Sequence, residues 1–228
     1  MLIMDKVTKR YDDTHGVFDV SLTFEKGKVY SVIGPNGSGK TTMLKSMAGM
    51  ININSGSISI NGENTMRRTT KRMIGYAMDD EESYPDVTLY ELLQMANDIK
   101  FNGEFAEQIE ELLQAFSLWD TKHMLYRKCS LGMKKKISLC LSFLGNPPLI
   151  LLDEPTNGVD TKGIITLKKE IQQAKQKDSI IVVTSHVLDF VGQIAEENIF
   201  IKEGKICCVV DRQENLETVY ERIYLRGE

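Results

Sequence analysis

Paired cysteines are missing from this chain. Its four, Cys129, Cys140, Cys207 and Cys208, do not have the CxxC spacing of a zinc or redox site. They read as small apolar packing residues in a reducing cytoplasm. Cys207 and Cys208 are adjacent in a strand-like run and should point to opposite faces. A basic excess is missing too: 28 Lys+Arg stand against 32 Asp+Glu, a net charge of −4. A general nucleic-acid binder shows the opposite balance, so no nucleic-acid partner is expected. No stretch approaches the ~18 consecutive apolar residues of a spanning helix. The longest apolar runs, around Leu149–Leu152 and Ile180–Val183, are strand-length. The opening residues, MLIMDKVTKRYDD, lack the long apolar core of a signal peptide. If a membrane matters to this protein, another chain is expected to cross it. Internal repeats, low-complexity tracts and long linkers are also lacking.

What is there suits one large domain with a sizeable subdomain. Residues 1–63 read as strands and turns around one helix. KVYSVIG (28–34) is a short apolar strand that runs into a glycine-rich loop and a helix, TTMLKSMAGM. SGSISING (55–62) ends in Asn61-Gly62, a hairpin signal. From about 86 to 146 the apolar spacing turns helical, in VTLYELLQMANDIK, GEFAEQIEELLQAFSL and a helix that starts at Ser130 and stops near Pro147. LILLD (149–153) and SIIVVTS (179–185), separated by a helix near 161–176, suit buried parallel strands. ENIFIKEGKICCVV (197–210) reads as a hairpin turning at Glu203-Gly204. Residues 213–224 read as one short amphipathic helix using Leu216, Val219, Tyr220 and Ile223.

Gly34-Pro35-Asn36-Gly37-Ser38-Gly39-Lys40-Thr41 fits GxxxxGK[ST], and it sits after an apolar strand and opens a helix. Glycines let backbone fold around phosphate without Cβ clashes. Successive N–H groups and the helix N-terminus then face the anion. Lys40 brings a point charge for the β/γ-phosphates, and Thr41 a hydroxyl for Mg²⁺. The loop alone says nucleotide; kinases, GTPases and motors share it.

A second element narrows the choice. The strand Leu149–Leu152 delivers Asp153 at its carboxyl end, where ligands bind in open α/β sheets. Asp153 is a candidate Mg²⁺ residue, and Glu154 a candidate to polarise the attacking water. Phosphoryl transfer is mostly charge placement and alignment. The strand SIIVVTS delivers His186 in the same way, to bond the γ-phosphate and hold the water. His15 and His123 read as solvated surface groups.

These motifs, in order Tyr11, GPNGSGKTT, the loop near 76–85, CSLGMKKK, LILLDEPTNGVD and TSH, resemble the nucleotide-binding subunit of ATP-binding cassette transporters over roughly residues 1–210. The resemblance implies an α/β fold: a P-loop NTPase core with a mainly parallel sheet, an N-terminal antiparallel β subdomain and an inserted helical subdomain. The core would take residues 1–85 and 147–210, the helical subdomain 86–146, and a short tail 211–228. It implies that Tyr11 stacks on adenine, the alternative being a strand-end tyrosine packed on the core, and that Thr42 contacts the α-phosphate. Asn157–Asp160 would cross a subunit interface and couple two sites. Ser130-Leu131-Gly132-Met133 stands where the family usually has a Leu-Ser-Gly-Gly-Gln signature. Leu131 replaces the first Gly, Met133 the Gln, and Cys129 the Leu. Ser130 is a good helix cap and, with Gly132, would reach ATP held by an opposite subunit. Lys134–Lys136 reads as a solvated face. Asp79 stands where the family generally has a Gln that contacts Mg²⁺ or the water; it reads either as a metal ligand or as part of a solvated acidic loop.

The implied machine is an ATPase using ATP and Mg²⁺. Two subunits, identical or related, would sandwich two ATPs head-to-tail on the cytoplasmic face of the cell membrane and drive a separate integral membrane permease. The departures at the signature resemble members serving export of drugs, antibiotics and antimicrobial peptides. The rival readings are a cassette ATPase that works without a permease and a slow nucleotide-dependent binding module.

Overall fold

The computed structural model describes residues 1–78 and 86–226. In chain order it begins with β1 (Leu2–Arg10) and β2 (Gly16–Phe24). Next come β3 (Val29–Ile33) and helix α1 (Lys40–Met47). The hairpin β4 (Ser55–Ile60) and β5 (Glu63–Asn64) turns at Asn61-Gly62, and β6 is Ile74–Ala77. Helices α2 (Leu89–Phe101), α3 (Ala106–Ala115) and α4 (Leu131–Phe143) follow. Then β7 (Leu149–Asp153), α5 (Thr161–Gln176) and β8 (Ile180–Thr184) alternate. The chain closes with α6 (Leu188–Ile194), β9 (Glu197–Lys202), β10 (Lys205–Asp211) and α7 (Leu216–Tyr220).

Two sheets result. A four-stranded antiparallel sheet runs β2-β1-β4-β5, and a six-stranded sheet runs β10-β9-β3-β8-β7-β6. Strands β9, β3, β8, β7 and β6 are parallel, and only β10 turns back, as a hairpin edge. The parallel strands bury side chains on both faces. Ile150, Leu152, Ile181 and Val183 pack toward α4 and α5, while Leu149, Leu151, Ile180 and Val182 pack toward α1 and the antiparallel sheet. Period-two alternation with apolar residues on both faces explains why these runs are continuously hydrophobic.

Local signals place the helices. Thr88 caps α2 in a reciprocal box with Glu91. Asp160 accepts from Gly163 N at 3.0 Å to cap α5. Three expectations need correction. The loop read from position 76 is still strand β6 through Ala77, because that segment pairs with β7. The tail is not one regular helix: after α7 the hydrogen bonding shifts to a π-helical turn over Glu221–Leu225, although Leu216, Val219 and Ile223 are buried as expected. And only part of the cysteine reading survives. Cys129 and Cys140 are buried, and burial pushes both thiols up, which keeps them inert. Cys208 is half-buried, but Cys207 is exposed, because β10 is an edge strand with one face in solvent. Among the described residues, no helix is long and apolar enough to cross a membrane.

Candidate functional site

The parallel strands end on one side of the sheet, and the candidate residues gather there. β3 ends at Ile33 and opens the loop 34–39; β7 ends at Asp153; β8 ends at Thr184. The three strands are neighbours, and Asp153 stands in register with Thr184.

The loop from Gly34 turns back on itself. Gly37 and Gly39 take left-handed φ values of 80° and 106°, and Ser38 N donates to Pro35 O at 3.2 Å. Gly34 is buried, Pro35 and Asn36 are exposed, and Lys40 opens α1. Lys40 is buried, and its Nζ donates to Gly34 O at 2.8 Å and Pro35 O at 3.3 Å. Tyr11, Lys40, Thr41, Thr42 and Glu154 line one cleft of about 330 Å³. Tyr11 is 58% exposed on its rim, with the Lys9 ammonium 5.0 Å from the ring centroid. The alternative of a core-packed tyrosine therefore fails, and a flat aromatic face is available to a base.

Glu154 is the strained point of the site. Its φ is +43°, a conformation that costs a non-glycine residue roughly 1–2 kcal/mol, and such strain clusters where function needs a fixed side chain. Bonds on every side hold it. Its N–H donates to Thr184 Oγ1 at 2.9 Å. Oε2 meets His186 Nδ1 at 2.9 Å and accepts from His186 N at 3.3 Å. Oε1 lies 3.6 Å from the Lys40 ammonium. Asp153 is buried beside it; Oδ1 accepts from Thr184 Oγ1 at 2.6 Å, and Oδ2 is 3.5 Å from the Tyr76 hydroxyl. Buried oxygens without a hydrogen bond include Ser38 Oγ and Glu154 Oε1. Both belong to this cluster, which is how a site looks when a ligand completes its bonding. The oxygen-only donors Asp153 and Thr41 fit a hard divalent cation.

Ser130 and Gly132 do not line that cleft among the described residues. They stand at the start of α4, where Ser130 accepts from Met133 N at 3.3 Å. Gly132 faces the 157–160 turn so closely that a Cβ would lie 2.7 Å from Gly158 O. Asn157 N donates to the backbone carbonyl of Glu154 at 3.2 Å, which ties that turn back to the end of β7. Leu131 is 58% exposed. Asp79 lies outside the described residues.

The reading of Lys134–Lys136 as a solvated face is corrected. Lys135 is buried, and its Nζ donates to Asp153 O at 3.0 Å and Met78 O at 3.3 Å. It shares a helix face with Leu139 and Ser142, the face that α4 turns to the sheet. Lys136 pairs with Asp160 at 2.9 Å, and Lys134 lies 5.3 Å from the Tyr126 ring centroid. Sequence reasoning also missed Thr184, which bridges Asp153 and Glu154. Its signal was modest: a hydroxyl at the carboxyl end of a strand, two residues before His186.

A protein-family model described as "ABC transporter" matches residues 17–157. The chain belongs to the ABC transporter family. The lantibiotic transport ATP-binding protein SrtF of Streptococcus pyogenes is 33% identical over 96% of each chain. The bacitracin transport ATP-binding protein BcrA of Bacillus licheniformis is 34% identical over 88% of this chain and 66% of its own. A solved ATP-binding subunit of an ABC transporter superposes with a TM-score of 0.87 at 26% identity, over all of this chain and 95% of that one. A dimeric ATP-binding cassette bound to ADP and Pi shares the fold, with a TM-score of 0.84 at 23% identity, over 94% of this chain and 100% of that one. This ABC protein is an ATP-binding and ATP-hydrolysing subunit. Its fold combines an antiparallel N-terminal sheet with a parallel-rich second sheet.

Proposed function

We propose that this ABC ATPase works on ATP with Mg²⁺, as a homo- or heterodimer, on the cytoplasmic face of the membrane. There it powers a separate integral membrane permease that exports an antibiotic, drug or peptide. The observation that carries the reading is the line Lys40–Glu154–His186, in which one buried carboxylate joins the phosphate loop to the end of β8. The relatives named for lantibiotic and bacitracin transport support a peptide-antibiotic cargo.

The residues divide the work as follows. Gly34–Thr42 offers amides and the Lys40 ammonium to the phosphates, with Thr42 at the α-phosphate and Tyr11 under the adenine. Thr41 and Asp153 would hold Mg²⁺, with Asp79 as a further candidate; the ion supplies charge neutralisation on the phosphate oxygens. Glu154 takes up the proton side of the attacking water, and His186, bonded to it, holds the water and γ-phosphate in line. Ser130 and Gly132, away from their own cleft, complete the cleft of a second subunit, and Asn157–Asp160 lies at that interface. ATP must then favour the closed dimer over the open one, or its binding shifts nothing. The helical segment 86–146 acts as a subdomain against the core 1–85 and 147–210, with 211–228 as a tail.

A docking place for the permease is supported by an apolar groove of about 400 Å³ between the sheet edge and α2, lined by Met50, Tyr76, Met78, Met95, Ile99 and Phe101. Ile99 is 78% exposed there. The test is affinity purification of the tagged chain from detergent-solubilised membranes. One integral membrane protein should co-purify, crosslink through a photoreactive group at Met95, and be lost in Ile99→Glu. Isolation without any membrane protein, with no crosslink, would refute the permease partnership.

A further inference from the structure

The tail after β10 reaches back to the foot of the phosphate loop. Tyr224 lies in the π-helical turn Glu221–Leu225. Its hydroxyl is shared between two carbonyls, Ile33 O at 3.0 Å and Ile201 O at 2.8 Å. Ile33 is the last residue of β3, immediately before Gly34. Ile201 O is the atom that packs on Gly34 itself: a Cβ there would lie 2.5 Å from it and 2.6 Å from Ser38 Oγ. One phenol therefore bonds the strand that enters the loop and the carbonyl that presses on the loop's first residue.

The tail is built to hold that phenol in place. Leu216, Val219 and Ile223 are buried. Lys202 Nζ donates to Ile223 O at 3.0 Å. The Tyr224 ring packs with Tyr220 and Phe200, at centroid separations of 4.5 and 6.4 Å. Burial pushes the phenol up, so it remains a donor across the physiological range. The β9–β10 turn grips the same loop from the side, as Gly204 N donates to Ser38 O at 2.9 Å. A regular α-helical ending would phase these side chains differently; π-helical turns are frequent at functional positions.

We propose that Tyr224 is a positioning residue for the phosphate loop, so that the tail, far from the motifs in sequence, is part of the nucleotide site. The proposal rests on the reading of Gly34–Thr42 as the ATP cradle. With the tether in place, the Ile33–Gly34 junction is ordered before nucleotide arrives. Without it, part of the population holds the loop in other conformations, and apparent affinity falls by that fraction.

The experiment compares the full chain with Tyr224→Phe, which keeps the ring, and Lys40→Ala. Binding of Mg²⁺–ADP, which is not hydrolysed, is measured by calorimetry beside the melting temperature without nucleotide. Tyr224→Phe should raise the Kd about fivefold, the size of one net hydrogen bond. The KM for ATP should rise in parallel, with kcat little changed, and amide exchange at 33–38 should quicken. A lower melting temperature with an unchanged Kd would make Tyr224 merely structural and overturn the tether. Wild-type binding by Lys40→Ala would overturn the cradle reading and the tether with it, whereas lost binding there with normal Tyr224→Phe overturns the tether alone. Should Tyr224→Phe fail to fold, Lys202→Met loosens the tail through Ile223 O; faster exchange at 216–225 with an unchanged Kd is again a refutation.

Discussion

Lys40 and Glu154 come from opposite halves of the chain and meet with 3.6 Å between ammonium and carboxylate. Lys40 is held by its own loop's carbonyls, and Glu154 by Thr184 and His186. Lys40 is fixed by bonds within its own loop, whereas its meeting with Glu154 is set by the order of strands β3, β8 and β7. The carboxylate is thus fixed beside the phosphate loop before substrate binds, which is what alignment-limited phosphoryl transfer requires.

Glu154→Gln removes the proposed base and keeps the shape. Turnover should fall about 10²–10⁴-fold, the usual worth of a general base, while ATP binding persists and ATP-dependent dimers accumulate. Phosphate release and light scattering read the two effects; near-normal turnover would remove Glu154 from the proposed role.

Lys135→Met leaves the carbonyls of Asp153 and Met78 without this buried donor. A stability loss of about 1–3 kcal/mol is expected, visible in urea unfolding. Turnover should drop beyond the change in folded fraction, since Asp153 loses a backbone restraint. Lys135→Arg should recover part of both. Full stability in Lys135→Met would show that these bonds contribute nothing net.

Leu131→Gly restores the glycine usual at that signature position. Leu131 is exposed at the start of α4, so the fold should tolerate the change despite a glycine in the first helical turn. Turnover should hold or rise if the signature works in the ordinary way. A large fall at unchanged melting temperature would assign Leu131 a contact of its own across the dimer.

Glu170 lines a polar cavity of about 240 Å³ together with Glu111 and Lys177. Burial raises its pKa; Lys177 opposes this and Glu111 adds to it. A carboxyl raised on folding stabilises below its unfolded pKa, near 4.5, and that stabilisation is lost as pH rises through the folded value. Glu170→Gln, which never ionises, should therefore melt higher than the parent at pH 7, with the gap closing toward pH 4. Differential scanning fluorimetry across that range decides it; a gap that widens on acidification reverses the sign and defeats the argument.

Much of the site was legible because its logic is local. The spacing from Gly34 to Thr41 carries its own conformation, and Asp153, Glu154 and His186 each follow an apolar strand that must end there. The helix start at Ser130 was legible for the same reason: the cap acts within three residues. Lys135 was misread because a lysine between two lysines looks solvated until α4 is laid on the sheet. Thr184 and Tyr224 gave little sign, since a hydroxyl acquires its partner only when distant strands are adjacent.

Alone, the order of residues determined which segments become strand, helix and phosphate turn, and which chemical groups stand at strand ends. Those properties follow from backbone preference, apolar period and caps, all of which act over a few positions. Tertiary structure decided the rest: that Lys40 faces Glu154, that Lys135 is buried under Asp153, and that Tyr224 reaches Ile33. Such contacts depend on strand order and helix docking, which are won by burying apolar area on two faces of one sheet and have no signature within any single stretch of chain.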